Sequence, residues 1–236
     1  MKQWRTTRGT AISLIKRGRS NAYLVSAGGH HIMADTGKKQ PVSSLVRALE
    51  KAGAGRLDAI ILTHSHYDHA ENAAALKDHY RAPVIVHRND AAYLEEGDSP
   101  IPRGSLAVTR LLTDSVGAII QPHLRYDPVH PDVLADERLE LSDFGIPGYL
   151  LHTPGHSEGS CSLIIDEEIA VAGDALMGVY PGSIFIPFAD DIPEMVRSWK
   201  KLLETGCRLF LPGHGGAVAS ALVEREYERY RKKFGL

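Results

Sequence analysis

Cysteine is nearly absent from the 236 residues, with only Cys161 and Cys207 present. Two thiols exclude a disulfide scaffold and a Cys-rich zinc module. No stretch approaches the ~18 consecutive apolar residues of a membrane span. The first residues are positively charged but hold no apolar core of signal-peptide length. Neither sign of charge is in excess: 27 Lys plus Arg face 29 Asp plus Glu, for a net of −2. That leaves no basic surplus for a nucleic-acid backbone or an anionic membrane. A hydrophobic share of 43% with 24% charged residues excludes disorder, collagen-like repeats and coiled coil. No Ser/Gly linker, charge block or repeat divides the chain. These absences predict a cytoplasmic protein with a single domain over residues 1–236. What the chain has in quantity is histidine, at twelve residues.

Thr10 to Ile15, Ala22 to Ser26 and His31 to Ala34 are apolar or β-branched runs broken by glycine turns, which predicts an antiparallel meander. Pro41 to Ala52 places Val42, Leu45, Val46 and Leu49 at helical spacing. Asp58 to Thr63 is a continuous apolar run, the pattern of a strand buried on both faces. A helix from about His69 to His79 and a strand from Pro83 to His87 follow. The strand–helix alternation predicts a layered α/β fold. Residues 97–131 interrupt it with Pro100, Pro102, Pro122, Pro128 and Pro131, and read as a lid insertion with a short helix around Leu106 to Leu112. Pro147 to His152, Cys161 to Ile165, Ile169 to Ala172 and Arg208 to Leu211 are further strands. Asp191 with Glu194 makes a capping box for a helix ending near Gly206, and Ala217 to Phe234 forms the last helix.

Thr63-His64-Ser65-His66-Tyr67-Asp68-His69 follows the buried strand at its C-terminal end. Ligands gather at such strand ends in layered α/β folds. Three imidazoles and a carboxylate within six positions supply the nitrogen and oxygen donors of a divalent metal site. His156 in His152-Thr-Pro-Gly-His156, Asp174 after Gly173, and His214 in Pro212-Gly-His214-Gly each add one metal-type ligand directly after a strand. Their glycines let backbone pass close to a crowded centre.

His64-x-His66-x-Asp68-His69, then His156, Asp174 and His214 in that order, resembles the metallo-β-lactamase superfamily of dinuclear metallohydrolases. The resemblance extends from Asn21-Ala-Tyr-Leu and Asp35-Thr-Gly to His214. It implies an α/β fold, the αβ/βα four-layer sandwich of that family. It implies that His64, His66 and His156 hold a first metal, that Asp68, His69 and His214 hold a second, and that Asp174 bridges both. The cofactor expected is two Zn2+ per chain, with Fe or Mn as substitutes. A bridging carboxylate at Asp174 points away from true β-lactamases and toward thioesterases, lactonases and phosphodiesterases, with a glyoxalase II-like or lactonase-like hydrolase favoured. Residues 215–236 have room for one helix, not for the glutathione-binding C-terminal region of glyoxalase II.

The expected reaction is hydrolysis of a small ester-like substrate, thioester or lactone before phosphodiester. Two divalent ions about 3.5–4 Å apart share a water and bring its pKa toward ~7, giving a bridging hydroxide. Asp68 is the catalytic candidate that orients this water and passes its proton on. The rival from another class is a metal-binding redox or sensing protein without hydrolase activity. Asp35 and Asp58 are candidates to orient ligand imidazoles. Tyr180, Phe185, Phe188 and His123 are substrate-binding candidates, with Arg103, Arg125 and Tyr126 in the same lid segment. Cys161 reads as a small core residue. The expected partner is a small-molecule substrate, neither nucleic acid nor membrane, and a homodimer is compatible with the sequence.

Overall fold

The structure, a computed structural model, describes residues 1–16, 18 and 20–236. Among these, the apolar runs of the first third pair as the meander the sequence predicts. β1 (Gln3–Arg5), β2 (Ala11–Lys16), β3 (Ala22–Ala27) and β4 (His30–Ala34) run antiparallel. Gly28 and Gly29, at φ 56° and 87°, supply the left-handed turn between β3 and β4. β5 (Ala59–Ile61), β6 (Val84–His87) and β7 (Val133–Ala135) then join in parallel, completing a seven-stranded sheet in sequential order. Every side chain of β5 and β6 is buried, as strands covered on both faces require.

The second sheet has the order β13-β12-β11-β10-β9-β8. Its strands are β8 (Arg138–Glu140), β9 (Gly148–His152), β10 (Cys161–Ile165), β11 (Ile169–Gly173), β12 (Leu209–Pro212) and β13 (Val218–Ala219). The sheets face each other across one core, with Ile12, Val25, Ile32, Ile61 and Ile85 against Leu150, Leu163, Ile165, Val171 and Leu211. Helices cover the outer faces. α1 (Val42–Lys51), α2 (Tyr67–Ala70), α3 (Ala73–Tyr80) and α4 (Ala91–Glu96) lie with Leu24, Met33 and Ile60 of the first sheet. α6 (Ile192–Glu204) and α7 (Ser220–Phe234) lie with Ile164, Ala170 and Phe210 of the second. The αβ/βα sandwich is therefore formed.

Three elements depart from the sequence reading. The helix expected from His69 starts at Tyr67 and breaks after Ala70. Asn72 there turns its amide to the carbonyls of Thr36 (3.0 Å) and Gly37 (2.7 Å). The short helix expected around Leu106 to Leu112 is α5 (Ala107–Ile120), 14 residues long. No proline falls between Pro102 and Pro122, so nothing stops it earlier. Val108, Leu111 and Ile119 on this helix are about 70% exposed (71%, 69% and 69%). Finally, the start of the last helix is β13, where Ala219 pairs with Leu209 before α7 begins at Ser220.

Candidate metal centre

The side chains at the strand ends converge on one point. His64 and His66 leave the end of β5, and Asp68 and His69 lie on the one-turn α2 that follows. His156 follows β9, Asp174 follows β11 and His214 follows β12. Three groups of donor atoms, each within 4.8 Å of one another, result: His64 with His66 and His156, His64 with His69 and Asp174, and Asp68 with His69 and His214. Asp174 sits between them, its carboxylate 3.5 Å from His156 Nε2, 3.1 Å from His214 Nε2 and 3.6 Å from His69 Nε2. Asp68 Oδ2 is 3.6 Å from His214 Nε2.

The donor set fits a cation. His64 Nε2, His66 Nε2, His69 Nε2 and Asp174 Oδ1 are buried with no hydrogen-bond partner. A buried polar atom left unpaired costs about 1–3 kcal/mol, so four meeting at one place mark a ligand's seat rather than packing. His66 Nδ1 and His156 Nε2 face each other at 2.9 Å. A Cβ at Gly213 would strike both Asp174 Oδ1 and the His69 ring, so glycine there keeps the centre open.

Charge divides the centre. Burial, aided by the adjacent imidazoles, holds the pKa of His64 and His66 well below the usual imidazole range. Burial acts the same way on His69, but Asp35, Asp174 and Asp68 outweigh it and raise its pKa to about 10. Burial would lift the Asp174 carboxyl, yet His214, His69 and His156 hold it well below the carboxylate range. Neutral imidazoles on one side and carboxylates on the other are the donors divalent ions take.

Several groups orient these ligands. Asp35, at φ 55°, accepts from Thr63 N (2.8 Å) and Thr63 Oγ1 (2.9 Å), and its Oδ2 takes the His69 Nδ1 proton at 2.8 Å. That bond directs His69 Nε2 at Asp174. His156 donates from Nδ1 to the Phe188 carbonyl (2.9 Å). The Asn21 side chain donates to the Pro212 and Gly215 carbonyls at 2.9 and 3.0 Å, and Tyr23 Oη to Pro212 at 2.9 Å, which fixes the His214 loop. Asp90 accepts from Ser65 N (2.7 Å) while Tyr126 Oη donates to Ser65 O (2.8 Å), so the peptide between His64 and His66 is clamped from both ends. Burial raises the Asp90 carboxyl to about 6 against the N–H groups of Ser65 and Gly159.

Beside the ligands lies a cavity of about 360 Å3, into which His66, Asp68, His156, Asp174 and His214 open. Its remaining wall is almost entirely apolar, with Ile101, Leu124, Met177, Ile186 and Phe188 prominent.

The metallo-β-lactamase superfamily model matches residues 15–220. The chain belongs to the metallo-β-lactamase superfamily. A probable metallo-hydrolase of Methanocaldococcus jannaschii, MJ0888, is 28% identical over 83% of this chain and 87% of its own length. The acyl-coenzyme A thioesterase MBLAC2 of Gallus gallus is 28% identical over 92% of this chain and 80% of its own. Among solved structures, TTHA1623 in a di-iron-bound form superposes with a TM-score of 0.64 at 26% identity, covering 91% of this chain and 96% of that one. Superfamily membership, with relatives named hydrolase and thioesterase, makes this chain a metal-dependent hydrolase.

Within this metallo-β-lactamase frame, the expected site residues sort clearly. His64, His66, Asp68, His69, His156, Asp174 and His214 come together, and Asp35 reaches them. Asp58 does not. It opens β5, at the far end from the ligands, and accepts from His31 N (2.7 Å) beside Arg56. Of the substrate-binding candidates, Phe188 lines the cavity. Tyr180 is 57% exposed and outside it. Phe185 stacks on Tyr230 of α7 at 5.2 Å instead. His123 is exposed, and its neighbour Leu124 takes the cavity position. Cys161 is buried in the core, which pushes its thiol pKa up. Asp90 carries no sequence signal of its role, because its partners are backbone N–H groups of distant loops. Among the described residues, no helix is long and apolar enough to cross a membrane.

Proposed function

We propose that this chain is a dinuclear zinc hydrolase of small ester-like substrates, with thioesters and lactones preferred. The observation that carries this reading is the convergence of seven ligand-type side chains, four of their atoms buried and unpartnered, on the floor of an apolar cavity. His64, His66 and His156 would hold one ion, Asp68, His69 and His214 the other, with Asp174 shared. When bound, two divalent ions supply Lewis acidity and an activated water at neutral pH.

The protein's own groups do the rest. Asp35 keeps the His69 Nδ1 proton, and the Phe188 carbonyl keeps that of His156, so each ring presents Nε2 inward. Asp68 Oδ2, beside His214 at the cavity floor, is placed to take a proton from water and return it to the leaving group. For a thioester, the C–S bond breaks, water's oxygen joins the acyl carbon, and acid and thiol leave. The apolar wall offers an acyl group a surface to bury against. The thioesterase names of two relatives, the Gallus gallus enzyme and an atrochrysone carboxyl ACP thioesterase of Aspergillus fumigatus, support the acyl reading. A phosphodiester would meet no lysine or arginine among the described residues of the wall. The di-iron form of TTHA1623 favours iron as the second choice of metal.

Zinc-loaded protein should hydrolyse a panel of thioesters or lactones and leave β-lactams and phosphodiesters nearly untouched. Phosphodiester turnover above that of every acyl substrate would reverse the assignment.

A further inference from the structure

The cavity wall comes from two segments far apart in sequence. Ile101 and Leu124 belong to residues 97–131, and Met177, Ile186 and Phe188 to the stretch after Asp174. The two segments are stitched by backbone hydrogen bonds: Ser105 N to Pro187 O at 2.9 Å and Ala189 N to Arg103 O at 2.7 Å. Thr109 Oγ1 adds a third, to Pro187 O at 2.8 Å. These bonds hold the two segments of the wall together. Away from the metal ligands, its polar side chains are Ser99 and Tyr67, and Ser99 Oγ already accepts from Tyr67 N (3.0 Å).

We infer that the substrate carries an uncharged, apolar acyl group of medium length, about eight to ten carbons, and that Ile101 and Leu124 gauge that length. This rests on the hydrolase reading above for where the carbonyl sits. A charged or hydroxylated acyl group would leave its hydration behind for a wall whose polar side chains, away from the metal-type residues, are Ser99 and Tyr67. An aliphatic chain gains with every carbon it buries. The volume sets the limit. About 360 Å3, at about 30 Å3 per water-sized unit, holds about twelve heavy atoms, of which the reacting group takes two or three. Beyond that volume, added carbons find no further cavity wall to bury against. Leu124 stands in the 3-10 turn Gln121–Leu124 after α5 and is partly exposed, so its size can change without opening the core.

The test uses the full chain loaded with zinc and a series of S-acyl N-acetylcysteamine thioesters from acetyl to hexadecanoyl. All share one neutral leaving group. kcat/KM should rise about three- to fourfold per methylene, the ~0.8 kcal/mol of a buried CH2, to an optimum near octanoyl or decanoyl, then level or fall. Leu124→Trp should move the optimum several carbons shorter and Leu124→Ala several longer. Opposite shifts cannot arise from misfolding. In parallel, calorimetric binding of acetate, hexanoate and octanoate should tighten along the series. Acetyl thioester turnover with no dependence on chain length would overturn the inference and leave the hydrolase reading intact. Tightening carboxylate binding without turnover of any thioester would support the cavity's preference and overturn the hydrolase reading. Binding equal for acetate and octanoate would overturn the inference whatever the turnover.

Discussion

Two sets of histidines cross the seam between the sheets, and they are used in opposite ways. In the first set, His64 meets His66 and His156 edge-on, at 87° and 86° and 4.5 and 4.9 Å between centroids. The Asp174 carboxylate lies 3.5 Å from His156, and the Nε2 atoms of His64 and His66 have no hydrogen-bond partner. In the second set, His87 at the end of β6 stacks flat on His152 at the end of β9, 3.9 Å apart and 10° from parallel. Three of its four ring nitrogens are already engaged. His152 has Glu137 at 3.2 Å and the Glu158 carbonyl at 2.8 Å, and His87 Nδ1 accepts from Asn89 N. The lesson is that residue type and position at a strand end do not make a ligand. A histidine whose inward nitrogen no protein group holds is open to a metal, as at His64, His66 and His69.

The comparison can be broken most severely at Asp174. Asp174→Ala removes the carboxylate that lies beside His69, His156 and His214, and metal content and hydrolysis should vanish together. Retention of activity without metal would end the comparison. A subtler change is Asp35→Asn, which keeps the shape but withdraws the charge that holds the His69 Nδ1 proton. Metal affinity should fall about 10- to 100-fold, as loss of a ligand-orienting partner does, read by competition with a chelator. Gly104→Ala comes next. A Cβ there collides with the Thr109–Arg110 backbone, at the point where Gly104 bridges Phe188. It should raise KM for long acyl substrates more than for acetyl ones while metal content holds.

The smallest effect belongs to the stacked pair. Burial, then His152, lowers the pKa of His87 to about 4. The folded state therefore favours neutral His87. That stabilisation is full above the unfolded pKa of about 6.5 and is lost as pH falls toward 4. His87→Gln should flatten the decline of thermal stability across this window and leave metal content unchanged. A loss of metal in this variant would erase the distinction between the two sets.

The seven converging side chains were legible in sequence because they sit in segments that follow strands and carry their own chemistry: His64 to His69 in one segment, His156, Asp174 and His214 after three later strands. Asp35 was legible for the same reason. The cavity was not. Its wall depends on residues 103–105 pairing with 187–189, a contact across more than eighty positions with no local signal. Phe185 and Phe188 are alike in sequence, yet one stacks on Tyr230 and the other faces the cavity. The layers of the fold were readable from periodicity. α5 was under-read because the prolines around it argue for loop, although they lie outside its span.

The central claim is that the edge-on histidines, and not the stacked ones, hold metal. The most direct test is the zinc stoichiometry of the purified, metal-loaded chain. Two zinc ions per chain, both lost in Asp174→Ala and both kept in His87→Gln, is the predicted result. Fewer than two in the unaltered chain, or loss in His87→Gln, would contradict it.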